Sequence, residues 1–174
     1  AVKLEPDNAV IIRARAEVLN ALGKLDDALV DLDLAVELEP NNVITLCSRA
    51  QFLKTQDKLD EALVDFNRAV KLEPDNVIAV CARAEVLKAL GKLDDALADF
   101  DCAMELAPED VVTICSRASL FVLMGQWMDA LSDLDAAENG PDVNWIAQHI
   151  RAVVYLRTDR QDEARSILRN GVKE

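Results

Sequence analysis

Residues 75–108, DNVIAVCARAEVLKALGKLDDALADFDCAMELAP, decide the fold of this chain. Val77, Val80, Ala84, Leu87 and Leu90 recur at helical spacing, Gly91 interrupts them, and Leu93, Leu97, Phe100, Ala103 and Leu106 resume the rhythm. Two antiparallel helices joined by a short turn are the expected product. Working outward, the same pattern returns every 34 residues on both sides of this stretch. A fixed period of that length means an array of stacked units, each covering its neighbour's apolar face.

The units run over residues 7–40, 41–74, 75–108 and 109–142, with a last, capping unit over 143–174. Residues 1–6, AVKLEP, match the tail of a preceding unit, since the same six letters stand at 69–74. The expectation is a single domain of about five repeats within a longer protein. Local punctuation agrees with the period. Pro40, Pro74 and Pro108 follow the second helices, and Asn41-Asn42 and Asp75-Asn76 offer caps for the next N-terminus. Gly23, Gly91 and Gly125 suit the corner within each pair, where the second unit is expected to carry Gln56. Alanine recurs at Ala16, Ala50, Ala84, Ala118 and Ala152, and again at Ala28, Ala62, Ala96, Ala130 and Ala164, which lets helix axes approach closely.

Half the residues are hydrophobic, enough for a real core. The net charge of −13 repels phosphate backbones and anionic lipids and favours basic partners, so nucleic acid and membrane are excluded as expected ligands. Cys47, Cys81 and Cys115 stand one period apart, on helices whose axes are expected roughly 8–10 Å apart, beyond the reach of a disulfide. No C-x-x-C pair starts a zinc site. Free thiols point to a reducing, intracellular and cytoplasmic setting.

The pattern resembles the tetratricopeptide-repeat family. Ala84, Ala96, Ala103 and Pro108, with their periodic equivalents, occupy that family's small-residue and proline positions. The resemblance implies an all-α, right-handed superhelical solenoid whose first helices line a concave peptide-binding groove. The chain departs from the family pattern where Ile12, Leu46, Val80 and Ile114 replace a large aromatic. The groove positions it implies are Val10, Ile44, Ile78, Val112 and Ile146 in one row, and Arg13, Cys47, Cys81, Cys115 and His149 in the next. Ala14, Ser48, Ala82, Ser116 and Ile150 form a third row, and Glu17, Gln51, Glu85, Ser119 and Val153 a fourth. Such a floor suits an apolar or amphipathic protein segment with basic flanks. The family members that clamp acidic chaperone tails carry asparagine, lysine and arginine where this chain has Ala14, Ser48, Ile78 and Ala82, so that clamp is not expected.

Arg15, Arg49, Arg83, Arg117 and Arg151 recur in register, as do Asp31, Asp65, Asp99 and Asp133. The fifth unit has Ile167 at the aspartate position yet keeps Arg151. Pairing across units, as Asp31–Arg49, Asp65–Arg83, Asp99–Arg117 and Asp133–Arg151, leaves no arginine of units two to five unmatched and is the expected ladder. Catalysis has little material. The one histidine is His149, and no phosphate loop, nucleophile motif or metal spacing occurs, so no cofactor is expected. Trp127 replaces the core leucines Leu25, Leu59 and Leu93, and Trp145 and Tyr155 are expected to pack the end of the array. The expected function is a non-enzymatic scaffold or adaptor that binds a protein or peptide. The alternatives are an array that stacks end to end, self-associating through an uncapped N-terminal side, and the docking region of a larger enzyme.

Overall fold

The computed structural model describes residues 8–138 and 145–170. Among them it shows helices and no strand: α1 (Ala9–Ala21), α2 (Leu25–Leu38), α3 (Val43–Thr55), α4 (Leu59–Leu72), α5 (Val77–Ala89), α6 (Leu93–Leu106), α7 (Val111–Met124), α8 (Trp127–Glu138), α9 (Trp145–Arg157) and α10 (Gln161–Asn170). They fall into two compact units, Ala1–Leu90 with α1 to α5 and Gly91–Glu174 with α6 to α10.

The first helices of the pairs start on side-chain caps. Asn8 accepts from the backbone N–H groups of Val10 and Ile11, Asn42 from Thr45, Asn76 from Ala79 and Asp110 from Thr113. Each such cap is worth about 1 kcal/mol. The Asn42 and Asn76 amides also donate to Glu39 and Glu73, both at 2.7 Å, and so span the proline corner between one pair and the next. The second helices α2, α4 and α6 follow Lys24, Lys58 and Lys92, which make no side-chain cap bond. Acids in their first turns, such as Asp26 with Asp27 and Asp60 with Glu61, complement the helix dipole instead.

The corner inside each pair needs one left-handed residue. Gly23, Gly91 and Gly125 supply it with φ near +74°. The expectation that Gln56 takes this place is corrected by one residue: Gln56 is the C-cap with φ −93°, and Asp57 is the left-handed residue with φ 60°. Asp159 does the same in the last pair. Aspartate enters this region more readily than most residues because its short side chain can hydrogen-bond locally.

In the first unit α1 packs on α2 and α3 on α4, and α3 also touches α1, α2 and α5. Ala50, Leu53, Ala62, Phe66 and Val86 form one buried cluster, and Ala16, Ala28, Leu32 and Phe52 another. The alanines at the closest approaches are fully buried, which matches their expected role. In the second unit Cys115, Ala118, Leu134 and Ala147 pack together, and Ala130, Leu131 and Val154 pack with Trp127 and Tyr155. Trp127 is partly buried and packs against this core cluster, as its register predicts. Tyr155 also lies under the Arg160 guanidinium at 4.3 Å. Trp145 departs from its expected packing role and is 76% exposed.

The expected ion-pair ladder is corrected. Arg49 donates from Nε and Nη2 to both oxygens of Asp65 at 2.7 Å, within its own pair, rather than to Asp31. Arg15 meets Asp31, and Arg117 meets Asp133, in the same way. The link between repeats exists but uses a different acid. Arg49 Nη1 donates to Asp33 at 2.9 Å and Arg117 Nη1 to Asp101 at 2.8 Å, while Arg83 Nη1 reaches Asn67 at 3.3 Å. Arg151, whose own pair carries Ile167, lies 3.0 Å from Asp135 of the preceding pair. One guanidinium fork thus holds two helices of its own pair and the second helix of the pair before.

Candidate functional site

In the first unit a groove of about 490 Å³ runs across α1, α3 and α5. Its walls come from Glu17 and Asn20 on α1, Ile44, Cys47, Ser48, Gln51 and Thr55 on α3, and Ile78 and Ala82 on α5, with Leu32 and Phe66 of the second helices beneath. Helical spacing puts these α3 residues on one face: Ile44, Cys47, Ser48, Gln51 and Thr55 follow one another at three- and four-residue steps. Ile44 is 63% exposed and Ile78 is 78% exposed, a large apolar investment for groups that contribute nothing to the core.

Two hydroxyls of the groove bond back to their own helix. The Ser48 hydroxyl donates to the Ile44 carbonyl at 2.9 Å, and that of Thr55 to the Phe52 carbonyl at 2.6 Å. The Cys47 thiol is half-buried and its pKa is pushed up to about 11, first by burial and then by the negative charges of Glu73 and Asp65. At neutral pH it is a small uncharged wall rather than a nucleophile. The two carboxylates also show the sign of the field at this floor, which favours a cation.

Seven of the sequence-expected residues come together in this groove: Glu17, Ile44, Cys47, Ser48, Gln51, Ile78 and Ala82. Val10 is exposed on α1 and lies off the groove, while Arg13 donates from Nη1 to the Thr45 hydroxyl at 3.3 Å. Cys81 is half-buried and Glu85 is held by Lys88 at 2.9 Å, and neither is among the residues that line the groove. In the second unit Val112 and His149 are exposed and Ser119 is half-buried. Cys115 differs from its expected open position. It is buried against Ala118, Leu134 and Ala147, and Ile150, standing where Ser48, Ala82 and Ser116 stand elsewhere, packs onto that cluster. Burial again raises its thiol pKa.

Sequence reasoning did not assign Asn20, Phe52, Thr55, Leu32, Phe66 or Ala16 to this site. Asn20 and Thr55 could have been found by carrying the α1 and α3 face one turn further. The others are core residues whose edges are seen only through the gap between first helices. Among the described residues no three metal-ligating side chains cluster, and no helix is long and apolar enough to cross a membrane.

Family models for the tetratricopeptide repeat match residues 49–111 and 145–170, together about half of the chain. No curated protein sequence matches. Among solved structures, a tetratricopeptide repeat protein from Parabacteroides merdae ATCC 43184 is similar at a TM-score of 0.81 and 22% identity, over 93% of this chain. This chain spans only 64% of that protein's length. YrrB, described as a TPR protein with an unusual peptide-binding site, superposes at 0.71 with 21% identity, over 94% of this chain and 84% of its own. The first TPR of Spaghetti (RPAP3), bound to the HSP90 peptide SRMEEVD, superposes at 0.63 with 22% identity, over 72% of this chain and 99% of its own.

Proposed function

The chain belongs to the tetratricopeptide-repeat family, and from that premise we propose that it is a protein-interaction scaffold whose groove across α1, α3 and α5 takes an apolar or amphipathic segment of a partner, flanked by basic residues. The observation that carries this reading is the pair of exposed isoleucines, Ile44 and Ile78, standing over a floor made of Cys47, Ser48 and Ala82. Burial of two such side chains offers about 1.5–3 kcal/mol each, enough to anchor a short segment. Small residues between them leave room for the partner's own side chains. Basic flanks follow from the exposed Glu17, from the field sensed by Cys47, and from the net charge of −13. An acidic tail of the kind held by the Spaghetti repeat has no cationic row to meet at Ala14, Ser48, Ile78 and Ala82.

A random peptide library selected on the folded chain tests this. Recovered sequences should combine apolar anchors with lysine or arginine, and the double variant Ile44→Glu, Ile78→Glu should lose them while keeping its helicity. Recovery of acidic peptides, or binding indifferent to that double variant, would place the contact surface elsewhere.

A further inference from the structure

We propose, resting on the reading of the groove as the binding face, that Glu17 and Asn20 at its α1 end form a seat for one lysine or arginine side chain of the partner. The groove then takes a bipartite segment: an aliphatic anchor over Ile44 and Ile78, and a single base at a set distance from it. The first observation is the uneven chemistry of the walls. α1 lines the groove only from its later turns, α5 only from its first turns, and α3 from Ile44 to Thr55. Short turns between successive helices make α1, α3 and α5 run parallel, so the groove crosses them obliquely. Its α5 end is apolar, at Ile44, Ile78 and Ala82, whereas its α1 end carries Glu17 and Asn20 beside Gln51 of α3. No base lines either end among the described residues.

The second observation is independent and comes from register. Glu17 and Asn20 correspond to Gln51 and Lys54 in the second pair and to Glu85 and Lys88 in the third. Residues three apart on a helix are neighbours, and Lys88 closes on Glu85 at 2.9 Å. The third pair thus supplies its acid with a cation, whereas α1 has an amide in that place. Ser119 with Val122, and Val153 with Leu156, carry no charge there. Arg13, one turn before Glu17, gives Nη1 to the Thr45 hydroxyl at 3.3 Å, and the exposed Glu17 carboxylate has no ion pair among the described residues. The partner's cation takes the place against Glu17 that Lys88 takes against Glu85, with the Asn20 amide oxygen as a further acceptor. Helix geometry sets the spacing. Two turns of α3 separate Ile44 from Gln51, the residue in register with Glu17, a rise of about 11 Å. The step across to α1 adds about 8–10 Å sideways. The base therefore sits roughly 11–15 Å from the anchor, about three to five residues away in an extended segment.

The test selects one random peptide library in parallel on the unchanged chain, on Asn20→Lys, Asn20→Gln and Glu17→Lys, and on the double variant Ile44→Glu, Ile78→Glu, with circular dichroism checking that each is helical. Peptides from the unchanged chain should carry a lysine or arginine about three to five residues from an aliphatic anchor. Asn20→Lys, which gives Glu17 an internal cation, should keep the anchor and cut the enrichment of that base at least about three-fold. Asn20→Gln should leave the enrichment intact, and Glu17→Lys should replace the base with aspartate or glutamate at the same spacing. Equal base enrichment on the unchanged chain, Asn20→Lys and Glu17→Lys, with peptides lost only on the isoleucine double variant, would refute the seat and leave the groove reading standing. Bases without a preferred spacing from the anchor would refute the seat as well. The same peptides from every variant, the isoleucine pair included, would overturn both.

Discussion

Replacing Arg49 with methionine separates the two jobs assigned to that guanidinium. Methionine keeps much of the side chain's length and removes every donor. Asp65 is 1% exposed and would lose both of its 2.7 Å bonds, leaving Arg68 at 4.0 Å as its remaining cation. Removing one partner of a buried pair costs about 3–5 kcal/mol because the surviving charge stays desolvated. Arg68 lowers that figure toward its bottom end. Asp33 is half exposed, so its loss of Arg49 costs roughly 0–1 kcal/mol, as for surface pairs generally. Urea unfolding followed by circular dichroism, run on Arg49→Met, Asp65→Asn, Asp33→Asn and both double variants, gives two mutant cycles. The Arg49–Asp65 coupling should approach the top of the ~0.5–3 kcal/mol range for contacting residues. The Arg49–Asp33 coupling should stay below about 1 kcal/mol. An Asp33 coupling equal to or larger than that of Asp65 would refute the assignment of the strong bond to the residue's own pair.

The remaining predictions concern packing, the corners and the thiols. Ala62→Leu should destabilise by about 1–3 kcal/mol through overpacking, since Ala62 is fully buried where α4 meets its neighbours; an unchanged melting temperature would contradict the close approach. Asp57→Gly should be neutral to stabilising by up to about 1 kcal/mol because it relieves a left-handed aspartate, while Gly91→Val at φ 74° should cost about 1–2 kcal/mol. At pH 8 an alkylating agent should take Cys102 first, with Cys47 and Cys115 slow, and the rate at Cys47 should keep climbing to about pH 11. Because the folded pKa of Cys47 lies above its ordinary 9.0, the thiol's contribution to stability is complete below pH 9 and is lost as pH rises toward 11.

The repeat and its helix boundaries were legible because one strong period carries both hydrophobic pattern and punctuation, and Asn42, Asn76 and Asp110 cap where the letters suggest. The arginine ladder was half legible. Register names equivalent residues but not which of two nearby acids a five-donor fork will take, and Arg151 reaches Asp135, two residues beyond the Asp133 that register points to. Periodicity likewise treats Cys47, Cys81 and Cys115 as alike. Their exposure differs because it depends on the neighbour: Ile150 packs onto the cluster that buries Cys115, where the smaller Ala82 leaves Cys47 partly open. Half of the groove lay outside the expected rows for the same reason: Phe52, Leu32 and Phe66 reach it only through the space between helices.

The central claim is that the groove, and not apolar surface in general, receives the partner. Val30 and Val64 on the second helices are about as exposed as Ile44, are equally apolar, and do not line the groove. Fluorescence anisotropy with a peptide selected on the folded chain should therefore show affinity reduced at least about ten-fold by Ile44→Glu with Ile78→Glu, a loss of 1.4 kcal/mol or more. It should be unchanged by Val30→Glu with Val64→Glu. Equal losses from the two pairs, or a loss confined to Val30 and Val64, would contradict the account.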